Sequence, residues 1–179
     1  MSIIKKILKF FNSYEEGAGM RRLQNNSNLA PELLVANSII SLAASKGVRL
    51  THLKLQKLLY FVYKRYLQDN DMALFSAPFE VWTYGPVVDS VYQVFKKHAS
   101  NDIDDYAYPA LGNKEILTVS KDDEAFHSAL EAIWMAYGGH AASSLVDLTH
   151  RKDTAWYKAD EEENWYIDNK YIKQEEWIY

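Results

Sequence analysis

The residues of this sequence best suited to chemistry are its histidines. None of them stands four residues from another, and the chain contains no cysteine. A metal site built on a helix needs such a spacing or a cysteine partner. No P-loop or GxGxxG phosphate-binding motif occurs either, so we predict no metal and no cofactor. The five histidines are His52, His98, His127, His140 and His150.

A second group, Ser143, Ser144, Asp147 and His150, contains the residue types of a hydrolytic triad. A triad needs its nucleophile, base and carboxylate in line, and residues crowded on one short helix do not provide that arrangement. Thr149 and His150 are better interpreted as residues that close the helix end, where an imidazolium would favour the helix dipole. We therefore predict that the protein is not an enzyme, with a small hydrolase as the least favoured alternative.

The element that must position most other polar residues of interest is the stretch LTHLKLQKLLYFVYKRYL, residues 50–67. Thr51 is a plausible N-cap, and the helix is predicted to end near Gln68. On a helical wheel the basic residues occupy an arc of roughly 100° with Phe61 near its middle, while apolar residues fill the remaining arc of roughly 220°. This distribution predicts a central buried helix. The residues of the polar arc are Lys54, Lys57, Lys64, Arg65 and Gln68.

Gln56 and Phe61 stand on the unexpected sides of this helix. A buried glutamine needs hydrogen-bond partners, so we predict that Gln56 bonds the backbone between Phe79 and Val87, with a ligand or catalytic role as the alternative. Phe61, ringed by lysines, is consistent with a contact surface for a partner. The alternative is that another helix, such as the N-terminal one, covers it.

Other segments show helical periodicity, and their boundaries carry typical capping residues. Pro31 and Gly47 bound one helix, and Pro86 is predicted to begin another. Ser120 and Asp123 resemble a capping box for a further helix. An extended segment is expected around Phe79 to Trp82. Also predicted are a strand at Glu115–Val119 and helices at Asp122–Tyr137, at Ala142–Thr149 and after Asp168.

Composition limits the class of protein. The chain has 179 residues, 48% of them hydrophobic, and a net charge of -4, which suits one core and argues against general binding to phosphate backbones. No apolar run reaches the roughly 20 residues of a membrane helix, and we expect a cytoplasmic protein with no membrane partner. We predict a mainly α, single compact domain with a central buried helix, minor β structure and an N-terminal amphipathic helix extension.

Three stretches of the sequence are informative together: LTHLKLQKLLYFVYKRYL, LFSAPFEVWTYGPVVDSVYQVFK and SSLVDLTHRKDTAW. In combination they resemble the Panacea (SocA-like, phage-associated) antitoxin domain family, and the resemblance spans about Ala30 to Lys158. It implies an antitoxin of a two-gene toxin–antitoxin system, often linked to prophages, with a cognate protein toxin as partner. It also implies a mainly helical fold without established enzymatic activity. Within the family, toxins of unrelated folds are neutralised, and at least one relative delivers its toxin to a cytosolic protease.

Most positions that match the family motif are interpreted as structural, because they would clamp the YGPVV loop onto the central helix. Trp82 and Trp156 are predicted to be core anchors. The matching positions are Lys54, Gln56, Lys57, Tyr60, Trp82, Tyr84, Gly85, Pro86, Val87, Tyr92, Thr149, His150 and Trp156.

Toxin recognition is predicted to lie on the flanks and on the face of the central helix that bears Phe61. The predicted divisions are 1–29, an amphipathic helix and linker; 30–160, the shared domain; and 161–179, an acidic aromatic tail that is not needed for the core and ends in a helix. A DNA-binding regulator and a protease adaptor are the alternative functions, and nucleic acid is the less favoured partner. The candidate contacts are Ile4, Ile7, Leu8, Phe11, Phe61, Lys64, Trp165, Tyr171 and Trp177.

Overall fold

The computed structural model describes residues 19–20, 28–109 and 114–177. This part of the chain contains seven α-helices, one short 3-10 turn and four very short strands. The predicted mainly α fold is confirmed. The elements are β1 (Gly19–Met20), α1 (Pro31–Ser45), α2 (His52–Asn70), β2 (Met72–Ala73), β3 (Glu80–Trp82), β4 (Gly85–Val87), α3 (Asp89–Phe95), a 3-10 turn (Lys96–His98), α4 (Glu124–Tyr137), α5 (Ala142–Thr149), α6 (Ala155–Glu161) and α7 (Asn169–Gln174).

Helix α2 is the centre of the molecule, as its wide apolar arc predicts. Helices α1, α3, α4, α5 and α7 and strands β2 and β4 all contact it. Thr51 caps its first turn by accepting a hydrogen bond from the Lys54 backbone N–H, and Asp71 ends it in the left-handed conformation at φ 55°. Tyr63 and Tyr66 are among its fully buried side chains. The surrounding helices therefore pack around one central helix rather than against a sheet.

The extended segment predicted around Phe79 is an antiparallel hairpin, in which β3 pairs with β4 so that Trp82 faces Gly85. Residues 165–167 close the other edge of β3. There the Val81 N–H donates to the Trp165 carbonyl at 3.0 Å, and the Ile167 N–H donates to the Phe79 carbonyl at 2.9 Å. Both edges of β3 are thus hydrogen-bonded, although the hairpin is only three residues long on each side.

Three boundary predictions are wrong. Pro86 lies in β4, and the helix begins at Asp89 because Pro86 and Val87 continue the hairpin ladder. Asp123, not Ser120, caps α4 by accepting from the Phe126 N–H. Residues 115–119 form no strand, because this extended segment bonds side chains of α1 instead of a neighbouring strand: the Leu117 carbonyl accepts from Asn37 and the Val119 N–H donates to Ser38.

The segment that follows Asp160 is part of the core, contrary to the prediction that it is a dispensable tail. The predicted final helix is present as α7, and Asp168 caps it by accepting from the Lys170 N–H. Ile167 and Ile172 are buried in the same cluster as the side chains of α2. This segment fills a side of α2 that the helical wheel assigned to solvent.

The predicted N-terminal amphipathic helix, with Ile4, Ile7, Leu8 and Phe11, lies outside the described residues. Strand β1 pairs in parallel with β2, Gly19 opposite Met72. None of the described helices is both long enough and apolar enough to cross a lipid bilayer.

Candidate functional site

Gln56 joins the central helix to the end of the hairpin. Its side chain is 2% exposed. Its amide nitrogen donates to the Val88 carbonyl at 3.2 Å, and its amide oxygen accepts from the Val88 N–H at 3.0 Å. The predicted burial of Gln56 is confirmed, but its backbone partner is Val88, one residue beyond the predicted range of Phe79 to Val87. The amide nitrogen and the amide oxygen each have a hydrogen-bond partner, which offsets much of the cost of burying this side chain.

Lys57 makes the second link between α2 and the hairpin. It is 0% exposed, and its ammonium donates to the Pro86 carbonyl at 2.7 Å. Gly85, at φ 92°, lets the hairpin backbone approach this side chain: a Cβ at Gly85 would lie 2.8 Å from the Lys57 Nζ and 2.5 Å from the Thr149 Oγ1. Only a glycine satisfies both the backbone angle and the space.

The third sequence block of the motif supplies the other wall. The Trp156 indole N–H donates to the Trp82 carbonyl at 3.1 Å, and the His150 ring stacks on Trp156 with centroids 3.9 Å apart. Thr149 turns its hydroxyl back to the Val146 carbonyl and closes α5 as predicted. Residues from α2, α5 and α6 therefore hold one hairpin. We call this arrangement the hairpin clamp, defined by Gln56, Lys57, Gly85, Thr149 and Trp156.

Burial controls the charge states within the hairpin clamp. Burial lowers the pKa of Lys57 to about 7. It also lowers the pKa of His150, and the nearby positive charge of Lys57 lowers it further. The expectation that His150 is an imidazolium stabilising the helix dipole is therefore not supported, because its surroundings favour the neutral ring. A neutral ring also suits its stacking on Trp156.

The other face of α2 carries a buried ionic network. Lys64 and Glu175 form an ion pair at 2.8 Å with both side chains buried. The second Glu175 oxygen accepts from the Tyr60 hydroxyl at 2.6 Å and from the Ala155 N–H at 2.7 Å. Burial and the Glu175 carboxylate both raise the pKa of Tyr60, which keeps its hydroxyl protonated as a donor. Trp177 covers Lys64 with its ring 4.2 Å from the ammonium.

The prediction that Phe61 and Lys64 are candidate toxin contacts on an exposed face is wrong, and the alternative that another helix covers Phe61 is confirmed, with α4 as that helix. Phe61 is 3% exposed and packs against Tyr137 of α4 with centroids 4.7 Å apart. Lys54 is buried too and donates to the Gly138 carbonyl at the end of α4. The three lysines of the basic arc are covered by different elements, each through an oxygen acceptor: Lys54 by the end of α4, Lys57 by the hairpin and Lys64 by residues 175–177.

The aromatic residues of the motif and tail divide by exposure. Trp156 is buried as predicted, but Trp82 is only half-buried and Tyr84, at the hairpin tip, is 66% exposed. Tyr92 is half-buried and lies edge-on to Trp82 at 4.7 Å. Of the tail aromatics proposed as toxin contacts, Trp165 is 60% exposed, whereas Tyr171 and Trp177 are half-buried. The largely exposed rings are therefore those of Tyr84 and Trp165.

The described residues offer little to a catalytic interpretation. Within residues 19–20, 28–109 and 114–177, no group of three or more His, Asp and Glu side chains is arranged to hold a metal ion. Ser143 and Ser144 are exposed near the start of α5, while the His150 ring is stacked on Trp156. The residue types of the triad therefore do not converge on one reacting atom.

Comparison with known proteins identifies the family of this chain. Residues 55–157, more than half of the chain, match the family model described as "Antitoxin SocA-like, Panacea domain". The chain belongs to this Panacea-domain family. It is 32% identical over 124 residues to Antitoxin SocA of Caulobacter vibrioides (strain NA1000 / CB15N), a match that covers 68% of this chain and 66% of that protein. No solved structure matches the chain.

The Panacea-domain match contains the whole hairpin clamp, from Gln56 to Trp156, but ends at residue 157. Glu175 therefore lies outside it, although its partner Lys64 lies within it.

Sequence reasoning missed Glu175, which we consider the most consequential omission. Its burial has no local signal, because the surrounding segment IKQEEWIY reads as a charged, exposed chain end. The available signal was on α2 itself, because this helix was predicted to have neighbours on several sides and yet carries several lysine side chains. Buried lysines require a carboxylate or carbonyl partner, and a search for one could have reached the tail.

The buried ammonium of Lys57 is expected to make the stability of the Panacea domain depend on pH. The pKa of Lys57 is about 7 in the folded chain and about 10.4 in an unfolded one. Between these values the unfolded chain binds more protons, so stability should rise with pH, by up to about 1.4 kcal/mol per pH unit. Below the pKa of Lys57 in the folded chain, the ammonium is charged in both states, and the full destabilisation from burying its charge is present. The measurement is urea unfolding of wild type and of Lys57→Met at pH values from about 7 to about 9.5. The free energy of unfolding of wild type minus that of Lys57→Met should increase with pH over this range.

Subtracting the Lys57→Met curve removes the titration of the groups that Lys57 does not influence. Lys152→Met, at an exposed position, is the matched control and should leave the profile unchanged. A wild-type minus Lys57→Met difference that stays constant over this range would contradict the assignment.

Proposed function

We propose that this protein is the antitoxin of a toxin–antitoxin pair and that it neutralises a protein toxin by direct contact. Membership of the SocA-like, Panacea-domain family is the observation that carries the proposal. The relative named Antitoxin SocA supports it. The match covers 66% of that protein, so an antitoxin activity of this chain is part of the proposal.

The geometry suits a binding protein. Tyr84 and Trp165 expose aromatic rings on or beside a hairpin whose backbone is fixed by the hairpin clamp and by residues 165–167. Exposed aromatic residues on a rigid support are typical of binding surfaces, because little conformational entropy is lost on association. The same geometry weakens the DNA-binding alternative, since Lys54, Lys57 and Lys64 are buried and present no basic face.

The proposal is tested with the protein encoded beside this chain's gene. Induced alone, that protein should arrest growth, and co-expression of this chain should restore growth. The two purified proteins should form a complex that survives size-exclusion chromatography. Continued growth arrest in the presence of soluble antitoxin chain, or no complex between the purified proteins, would contradict neutralisation by direct contact.

Masking of the toxin and delivery to a protease are distinguished by toxin lifetime. After protein synthesis is stopped, a toxin that is only masked should persist equally long with and without this chain. A lifetime shortened by this chain would instead support the adaptor function, with a cytosolic protease as an additional partner. Direct contact is required in both cases.

A further inference from the structure

Two adjoining grooves share Val81 and Trp82 as a common wall. The first, the aromatic groove, has a volume of about 470 Å³ and is lined mainly by His52, Leu53, Trp82, Tyr84 and Tyr92. The second, the acidic groove, has a volume of about 400 Å³ and is lined by Glu80, Asp160, Glu163, Asn164 and Trp165 in addition to the shared residues. Because they adjoin, consecutive residues of one extended chain can occupy both.

The acidic groove is built for a positive charge. It brings together the carboxylates of Glu80, Asp160 and Glu163, and none of the residues lining it is lysine or arginine. Asp160 is exposed, and Glu80 accepts the Trp82 indole N–H at 2.7 Å, which fixes that carboxylate at the boundary between the grooves. The ring of Trp165, 60% exposed, offers a face on which a guanidinium or ammonium can stack.

The aromatic groove has the opposite character. Its walls are mainly rings and aliphatic side chains, with Gln56 and Thr83 as uncharged polar residues, and Tyr84 stands 66% exposed at one side. The Trp82 and Tyr92 rings hold each other edge-to-face at 4.7 Å, and the His52 ring packs against Tyr92 at 5.7 Å. An apolar side chain placed here would bury aromatic surface without stranding a charge.

We propose that the two grooves together bind a linear segment of the toxin in which a lysine or arginine stands beside an apolar residue. The basic side chain lies over Trp165 among the carboxylates, and the apolar side chain enters the aromatic groove beside Tyr84. This assignment deepens the proposed antitoxin function and rests on it. The hairpin clamp keeps the shared wall of Val81 and Trp82 in place before the toxin arrives.

The binding preference of the grooves is tested without the toxin by selecting random linear peptides on the full chain. Sequences with a basic residue next to an aliphatic or aromatic one should be enriched. The enrichment should disappear on Asp160→Lys and persist on Met135→Ser, a variant of the 88% exposed Met135 that lines neither groove. No enrichment, selection of acidic sequences, or selection that Asp160→Lys leaves unchanged would overturn the proposal.

The same variants are then tested with the growth-arresting protein encoded by the neighbouring gene. Tyr84→Ser, Trp165→Ser and Asp160→Lys should each weaken binding by about tenfold or more, and Met135→Ser by less than about twofold. All four should keep the wild-type melting temperature. Added salt should weaken wild-type binding and have less effect on Asp160→Lys.

The outcomes separate the two levels of the proposal. Failure of the wild-type chain to bind that protein contradicts the proposed function, while the peptide selection still decides the preference of the grooves. Full-affinity binding by all three groove variants overturns the groove assignment and leaves the proposed function intact. If Tyr84→Ser and Trp165→Ser convert a dimer to a monomer, a second copy of this chain fills the grooves, which also overturns the assignment.

Discussion

Glu175→Ala is expected to lower the free energy of unfolding by about 3–5 kcal/mol, the usual cost of removing one partner from a buried ion pair. The change leaves the Lys64 ammonium buried without its counter-charge, since both side chains of the pair are buried. It also removes the acceptor of the Tyr60 hydroxyl and the Ala155 N–H. Urea unfolding near neutral pH measures the loss, and separate thermal melting should show a lower midpoint.

Glu176→Ala is the matched control for this prediction. Its exposed side chain neighbours Glu175, but Lys64 bonds its backbone carbonyl, which the substitution keeps. The double variant Lys64→Met/Glu175→Leu should recover much of the stability, because it removes both charges and leaves none unpaired. Equal melting of Glu175→Ala and Glu176→Ala would contradict the role assigned to the buried pair.

Gly85→Ala is expected to lower the free energy of unfolding by about 2–5 kcal/mol through backbone strain and overpacking together. The backbone at φ 92° disfavours an L side chain, and the new Cβ would stand 2.5 Å from the Thr149 Oγ1 and 2.8 Å from the Lys57 Nζ. Because the clash falls inside the hairpin clamp, it should also loosen the hairpin. Urea unfolding measures the cost, and faster amide exchange at Val88 reports the loosening.

Two other glycines separate the contributions to this cost. An alanine Cβ at Gly139 meets no atom within 4 Å and its φ is ordinary, so Gly139→Ala should change stability little. Gly47→Ala introduces strain at φ 65° without a steric clash, and should cost about 1–2 kcal/mol. If Gly85→Ala costs no more than Gly47→Ala, the new Cβ adds no steric cost to the backbone strain. That result would contradict the predicted clash within the hairpin clamp.

Local sequence signals predicted most of the helices and their ends. Thr51 caps α2 as expected, Pro31 begins α1, and the last helix follows Asp168. Such signals act over three or four residues, so one sequence is enough to detect them. Pro86 misled the prediction because its fixed φ suits the first turn of a helix and an extended strand alike, and pairing with β3 decided between the two.

The hairpin clamp could be predicted only in part. Gln56 was recognisable because it lies inside an apolar arc. A polar side chain buried there must find a hydrogen-bond partner in the segment that packs over it. The lysines of α2 gave the opposite impression, since a wheel assigns long charged residues to solvent. Their partners are the carbonyls of Pro86 and Gly138 and the carboxylate of Glu175, and only the tertiary structure brings these oxygens to the helix.

The bonds made by Glu175 join positions far apart along the chain, 111 residues from Lys64 and 115 from Tyr60. Closing so long a loop costs chain entropy before any contact repays it, so such contacts form late on a folding pathway. We infer that the transition state for folding contains the packed helices but not this ion pair. Stabilisation absent from the transition state slows unfolding and leaves the folding rate almost unchanged. Glu175→Ala should therefore speed unfolding and leave the folding rate almost unchanged, which the two limbs of a chevron plot measure.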